Sequence, residues 1–279
     1  MSSPGSAGTA ALPAVEELLA AGDAKACCSA LYEHPAVRWL LGDELHPGGA
    51  ATTRRALELI GIGAGDRLLD VASGTGASAI VAARAFGCRV AGVDYGAEAV
   101  RGAQRAADAA GLGDRVSFRV GDAEALPYAD GEFDAVLCEC SLCTFPDKAK
   151  AIAEIRRVLG PEGRVAISDV VVDPDRLPAE LIGPLATIAC VGSALPVSGY
   201  EQLLAGGGMR PIAVESRTED AAALAERVED RLRGARLLGL DWASGSPSAT
   251  GAALELVAAA RRAIADGALG YAILAASPR

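Results

Sequence analysis

The sequence predicts an α/β protein built on a parallel sheet with helices on both faces. Three observations carry this. Between about residues 62 and 170, short apolar runs alternate with helical stretches, as strands buried on both faces and joined by helical crossovers do. A glycine-rich turn, Asp70-Val71-Ala72-Ser73-Gly74-Thr75-Gly76, stands between the first such run and the helix after it. Two further strand patterns come late, separated by helices, as additions at the sheet's edge.

The elements follow in order. Residues 1–12 are small and uncharged; without a basic segment and a long apolar core they read as a loose tail, not a signal peptide. Pro13 with Val15, Leu18 and Leu19 opens a short helix. Helices are expected at 24–33 and 36–41, with His34 as a surface or capping residue. After the break His46-Pro47-Gly48-Gly49 another is expected at 52–60. Strands are expected at 67–71, 88–94, 115–120, 133–139 and 164–169, and helices at 77–86, 97–110 and 148–159. The run from Leu181 to Val197 carries no charge, but it is short for a membrane span and holds Gly183, Pro184, Gly192 and Pro196. It reads as a buried helix over 179–194 and its exit. Ser198-Gly199-Tyr200-Glu201 has a capping-box pattern opening the next helix, which ends at Gly206-Gly207-Gly208. Strands at 211–216 and 271–275 enclose two helical stripes, Leu224 to Leu237 and Leu254 to Ile264. One domain over 13–279 is expected: a helical cover (13–61), a cofactor-binding core (62–170), and substrate-side helices with edge strands (171–279).

Composition bounds the function. The 279 residues are 51% apolar and 22% charged, ample for a sizeable core. A net charge of −10 argues against tracking a phosphate backbone or an anionic membrane face, so nucleic-acid and membrane partners are excluded. Seven cysteines, an odd number in a chain this long, read as reduced thiols in a cytoplasmic protein.

The glycine turn points to a nucleoside. Glycines let a ligand approach the backbone, and the helix N-terminus favours partial negative charge. Asp94 ends the next strand at a spacing suited to two ribose hydroxyls. Asp122-Ala123 follows the third strand, within reach of an adenine amino group. Gly74 to Ala79 also fits a dinucleotide fingerprint. Asp70 tips the balance, because a carboxylate there repels a pyrophosphate and attracts the cationic end of an amino-acid-bearing cofactor.

At these residues the chain resembles the class I S-adenosylmethionine-dependent methyltransferases, whose first motif corresponds to Asp70 through Gly76. The resemblance covers about residues 52–169. It implies a Rossmann-like, mostly parallel seven-stranded sheet with an antiparallel edge strand. It implies S-adenosylmethionine as cofactor, held by Asp70, Ala72, Gly74, Gly76, Asp94, Tyr95, Asp122 and Ala123. Ala72 departs from the motif, where the first glycine is usual. His46, just ahead of the core, is placed to close over the methionine end.

The loop after the fourth strand reads Cys138-Glu139-Cys140-Ser141-Leu142-Cys143-Thr144-Phe145-Pro146-Asp147-Lys148. Catalytic groups sit at such strand ends in this fold. Cys88 and Cys138, inside strands, read as small core hydrophobes. Cys140 and Cys143, at the mouth, do not. The C-x-C-x-x-C spacing lacks a second ligand pair, which argues against structural zinc. The chain has only two histidines, so a base-assisted oxygen or carbon acceptor is poorly served. A soft acceptor with its own lone pair, such as trivalent arsenic on thiolates, needs no base. Here the chain is similar to arsenite methyltransferases. A cysteine lies six residues before Pro-Asp-Lys, as Cys140 does, and another opens Cys190-Val191-Gly192-Ser193-Ala194-Leu195. That resemblance implies Cys140 and Cys190 as catalytic arsenic ligands, with Cys27, Cys28 or Cys143 as a third, and a thiol reductant as partner. Antimony, selenium, tellurium or an organic thiol stay open as acceptors. The rivals are a natural-product or quinone methyltransferase, or a metalloid-binding protein without turnover.

Overall fold

The protein was analysed as a computed structural model, which describes residues 24–42, 45–182, 190–238 and 247–279. The tail and the helix expected from Pro13 lie outside the described residues, as does the Cys27 side chain.

Seven strands form one sheet: β1 (Arg67–Val71), β2 (Arg89–Asp94), β3 (Val116–Val120), β4 (Phe133–Glu139), β5 (Leu159–Val172), β6 (Met209–Ser216) and β7 (Leu269–Pro278). Their spatial order is β3-β2-β1-β4-β5-β7-β6. β1 to β5 pair in parallel, and β7 runs antiparallel to both β5 and β6. The antiparallel strand is therefore not at the edge. β7 is almost wholly buried and needs a neighbour on each side, whereas β6 is mostly exposed or half-buried and tolerates the rim.

The helices are α1 (Ala24–Glu33), α2 (Pro35–Leu41), α3 (Gly49–Leu59), α4 (Ala77–Phe86), α5 (Ala97–Ala109), α6 (Lys148–Val158), α7 (Val197–Gly206), α8 (Thr218–Leu237) and α9 (Pro247–Ala265). The His34 ring caps α2, accepting the Ala36 N–H at 3.2 Å. Side chains alternate across the sheet with period two. Leu69, Val71 and Val136 pack with Ile152 and Ile155 on one face. Leu68, Val90 and Leu137 pack with Ala79 and Ala82 on the other.

Two local expectations are corrected. Over 179–194 there is no continuous helix among the described residues. Ala179–Leu181 is a single 3₁₀ turn, residues 183–189 lie outside the description, and the chain from Cys190 to Pro196 is irregular. Gly192 and Pro196 interrupt the described part of the run. The capping box is also displaced: α7 starts at Val197 with Pro196 as its cap, whose carbonyl accepts the Gly199 and Tyr200 N–H groups. Ser198 therefore lies inside the first turn, and no side chain caps the helix. No described helix is long and apolar enough to cross a membrane.

The crossover direction reverses between β1 and β4. Ligand clefts of open α/β sheets lie at such a switch point, outside the carboxyl ends of the strands.

Candidate active site

A cleft opens there. Asp70, near the end of β1, is only 2% exposed. Its Oδ2 has no hydrogen-bond partner among the described residues, and neither does the buried Ser73 Oγ. Burial pushes the Asp70 carboxyl well above its ordinary range, and the Glu139 and Asp94 charges push it further. Both residues line the cleft, so two buried polar atoms face it without partners.

The turn itself is left-handed at Ala72, Gly74 and Gly76, with φ of 58°, 49° and 78°. Ala72 thus adopts the conformation a glycine takes without strain. Gly74 lines the cleft, and a Cβ there would meet nothing closer than Leu45 Cδ1 at 3.5 Å. Gly76 serves packing behind the turn. A Cβ there would stand 2.7 Å from the Phe118 ring and 2.9 Å from Ala103 Cβ, so only glycine lets these groups close in.

Asp94 ends β2 and braces the turn. Its Oδ2 accepts the Gly74 N–H and its Oδ1 the Gly96 N–H, both at 2.8 Å. Asp94 and Tyr95 both line the cleft, as do Asp122 and Ala123 after β3. Both Asp122 oxygens accept from Lys25 Nζ, at 2.9 and 2.8 Å. Lys25 also pairs with Glu124 at 2.7 Å.

Lys25 belongs to α1, which roofs the cleft. Lys25, Cys28, Ser29, Tyr32 and Glu33 all line it, at the i, i+3, i+4, i+7, i+8 spacing of one helix face. Glu33 accepts the Ala99 N–H at 3.0 Å, and the Tyr32 hydroxyl stands 3.0 Å from Cys190 Sγ. The roof thus touches both the end of the cleft beside β2 and β3 and the thiol end.

His46 lies on the same cleft, buried, with Nε2 3.5 Å from Glu139 Oε2. Glu139, the last residue of β4, accepts the hydroxyls of Thr53 at 2.8 Å, Ser78 at 2.7 Å and Ser168 at 3.0 Å. Sequence reasoning passed over Glu139 as a site residue. The available signal is an acid at the carboxyl end of an otherwise apolar central strand.

β4 stops at Glu139 because Cys140 turns left-handed at φ 50°. Cys138 and Cys140 therefore do not share a strand face. Cys138 sits in the core against α6, and burial pushes its thiol up to about 12; Cys88, buried under the opposite face, rises to about 11. Cys140 instead lines the cleft, half-buried, with its sulfur 3.9 Å from that of Cys190. Cys190 is 3% exposed, left-handed at φ 64°, and lies behind Cys140 with the buried Cys143. The Cys140 sulfhydryl lies against Cys190 Sγ, Cys190 Sγ reaches back to the Cys140 carbonyl at 3.7 Å, and the contacts with Cys140, Cys143 and Tyr32 draw the Cys190 thiol below its ordinary range. The Cys140 and Cys143 thiols are pushed up, Cys140 chiefly by its contact with Cys190 and Cys143 chiefly by burial. Cys28 is half-buried on the cleft wall. Among the described residues no three His, Cys, Asp or Glu side chains are placed to hold one metal ion.

Residues 62–192 match the methyltransferase domain family. The chain is 33% identical over 213 residues to 27-O-demethylrifamycin SV methyltransferase of Amycolatopsis mediterranei, covering 71% of this chain and 78% of that protein. The chain belongs to the class I S-adenosylmethionine-dependent methyltransferases. It is also 33% identical over 169 residues to methyltransferase GfsG of Streptomyces halstedii, covering 60% of this chain and 61% of that relative. The arsenite methyltransferase of Halobacterium salinarum is 30% identical over 169 residues, which cover 60% of this chain and 43% of that protein. Among solved structures, geranyl diphosphate methyltransferase in complex with S-adenosylmethionine superposes with a TM-score of 0.66 at 23% identity, over 83% of this chain and 86% of that one. The cleft fits this methyltransferase's cofactor: unpartnered Asp70 and Ser73 for a polar, cationic end, the open wall at Gly74, and Asp94 with lone pairs left for ribose hydroxyls.

Proposed function

We propose that this methyltransferase moves the methyl group of S-adenosylmethionine onto trivalent arsenic held by Cys140 and Cys190, in the cytoplasm, with a small thiol as reducing partner. The observation that carries the reading is the sulfur pair: two cysteines 50 residues apart whose sulfurs stand 3.9 Å from each other beside the cleft. Two sulfurs each about 2.3 Å from one soft centre stand about 3.8 Å apart at a tetrahedral angle, and a few tenths of an ångström closer at the narrower pyramidal angle of trivalent arsenic, a small closure from the observed spacing.

Asp70, Gly74, Asp94 and Asp122 hold the cofactor in this reading, with Tyr95, Ala72 and Ala123 on the wall. Bound there, S-adenosylmethionine supplies an electrophilic methyl group. Cys190 and Cys140 each become a ligand by displacing a hydroxyl group of arsenite, the thiol proton leaving with that hydroxyl as water, so two As–O bonds break as two As–S bonds form. The described residues offer a pair, so the third arsenic ligand is Cys143 or Cys28 after a side-chain movement, Cys27, or a thiol carried by the substrate. No histidine serves as a base at the thiol end: His34 caps α2 and His46 faces Glu139. Arsenic needs none, because its own lone pair forms the new As–C bond. That bond leaves arsenic oxidised by two electrons, which the thiol reductant returns. Alignment of acceptor and methyl group is the main catalytic contribution.

A second reading is favoured by the rifamycin and GfsG relatives, and by Cys190 lying behind the cleft wall. In it the acceptor is a small organic molecule and the cysteines pack. Incubation with arsenite, a thiol and S-adenosylmethionine separates the two. The arsenic reading requires methylarsenicals from the wild type and none from Cys140→Ser or Cys190→Ser, with cofactor affinity within about threefold, since these residues touch only the acceptor. Full activity in either variant would leave the organic acceptor standing.

A further inference from the structure

Glu139 and Asp70 present two carboxylates to one stretch of the cleft, and each is deeply buried, at 9% and 2% exposure. The Asp70 Oδ2 has no partner among the described residues. Glu139 is differently placed: three hydroxyls, from Thr53, Ser78 and Ser168, donate to it, which is the complement of an acceptor-only carboxylate. Those hydroxyls come from α3, α4 and β5, so the carboxylate is fixed from three sides. Among the described residues no lysine or arginine pairs with either acid; His46, 3.5 Å from Glu139, is the nearest basic group. The Glu139 charge adds to burial in pushing the Asp70 carboxyl up, so the two acids lie within electrostatic reach of one another. Buried carboxylates are costly unless a cation meets them.

We propose that Glu139, with Asp70, reads the charge of the cofactor: the pair seats the sulfonium cation, so the methyl donor binds ahead of the neutral S-adenosylhomocysteine left after transfer. Methyl transfer moves the C–S bonding pair onto sulfur and removes its positive charge, so the same step that makes product deletes the interaction that held the donor. Asp70 also faces the amino-acid end that donor and product share; Glu139 is the member that separates them. Glu139 is thus a positioning residue for the donor. This rests on the cofactor alone and is independent of the acceptor.

Calorimetry on the full-length protein tests it. Glu139→Gln keeps the shape and lets the three hydroxyls rotate to new partners, but removes the charge. Binding of S-adenosylmethionine should weaken about ten- to hundredfold while S-adenosylhomocysteine stays within about threefold. Sinefungin, whose amine cation replaces the sulfonium, should follow the donor. Glu139→Asp, which retains the charge, should keep most of the preference. Equal weakening of donor and product in Glu139→Gln, or no change in either, would overturn the proposal by assigning Glu139 a structural role or none. A loss in Glu139→Asp equal to that in Glu139→Gln would overturn it too, by tracing the effect to hydrogen bonds in place of charge.

Discussion

Replacing Asp70 by Asn should stabilise the empty protein and cripple cofactor binding at once. Asp70 is 2% exposed with Oδ2 unpartnered, while its carboxylate also accepts the Ala79 N–H. Asn keeps an acceptor for Ala79 and puts an amide where the orphan oxygen stood, toward the acids Glu139 and Asp94. Relieving a buried unsatisfied acceptor is worth about 1–3 kcal/mol. At about 2.1 cal/mol/K of unfolding entropy per residue, that is a rise of about 2–5 °C in melting temperature for a chain of this size. The sign with pH follows from burial raising the Asp70 pKa. Wild-type stability from this group is fully present below its unfolded pKa, near 4, and is lost as pH rises through the folded value, so the gain of the variant grows with pH.

Cofactor reverses the order. Losing a charge-assisted hydrogen bond costs about 1.5–3 kcal/mol, so affinity falls roughly 10- to 150-fold. At a ligand concentration 1,000 times the wild-type Kd, binding stabilises the wild type by about 4.1 kcal/mol. A variant binding 100-fold more weakly gains only about 1.4 kcal/mol at the same concentration. Differential scanning fluorimetry with and without S-adenosylhomocysteine should therefore show Asn ahead when empty, and the gap closed or inverted when loaded. A variant that melts lower than wild type when empty, or shows an undiminished ligand shift, would refute the reasoning.

Other expectations are as direct. Asp94→Ala should weaken donor and product alike by about 1.5–3 kcal/mol, because Asp94 faces the ribose they share; titration calorimetry measures it, and an effect on one ligand only would contradict the ribose assignment. Burial, and then the Cys190 charge, pushes the Asp169 carboxyl up to about 7. Its stabilising contribution is thus present below about pH 4 and lost as pH rises to 7, at about 1.4 kcal/mol per pH unit as an upper bound. Urea unfolding of wild type and Asp169→Asn from pH 4 to 8 should show their difference changing by a few kcal/mol across that window; a constant difference would exclude it.

The half of the cleft proposed for the cofactor is local in sequence. One turn between β1 and α4 and the ends of two further strands contain Asp70, Gly74, Asp94 and Asp122, and strand periodicity places each. The acceptor half depends on long-range contacts that no periodicity announces. Tyr32 meets Cys190 across 158 positions, and Cys140 meets Cys190 across 50. The apolar run after β5 suggested a helix, yet the chain at Cys190 is irregular, and only that turn carries its sulfur back to Cys140. Nor does β7 declare its place between β5 and β6: its burial on both faces decides this, and a strand of small apolar residues reads the same at a rim until its neighbours are known.

The backbone itself distinguishes the thiols. Among the described residues the non-glycine positions with positive φ are Ala72, Cys140 and Cys190. Such conformations cost about 1–3 kcal/mol each and persist where the surroundings over-determine them. The surroundings do so here: the N–H of Ser73, next to Ala72, bonds to Val93 O at 3.0 Å, and the Cys140 N–H to Ser168 O at 2.7 Å. Glycine would relieve that strain at each position. At Ala72 the side chain is one methyl group, and nothing in the structure explains its retention. At the cysteines the cost secures a sulfur at the cleft and a second one behind it. Cys88 and Cys138 supply the contrast within the same chain: both are wholly buried on ordinary backbone, with thiols pushed up to about 11 and 12, as packing residues should be. Cys140 and Cys190 depart from the ordinary backbone, sharing a sulfur contact on left-handed residues beside the cleft. A chain using them only to fill space would have no need of the strain, and that asymmetry is why the acceptor is sought at this pair of sulfurs.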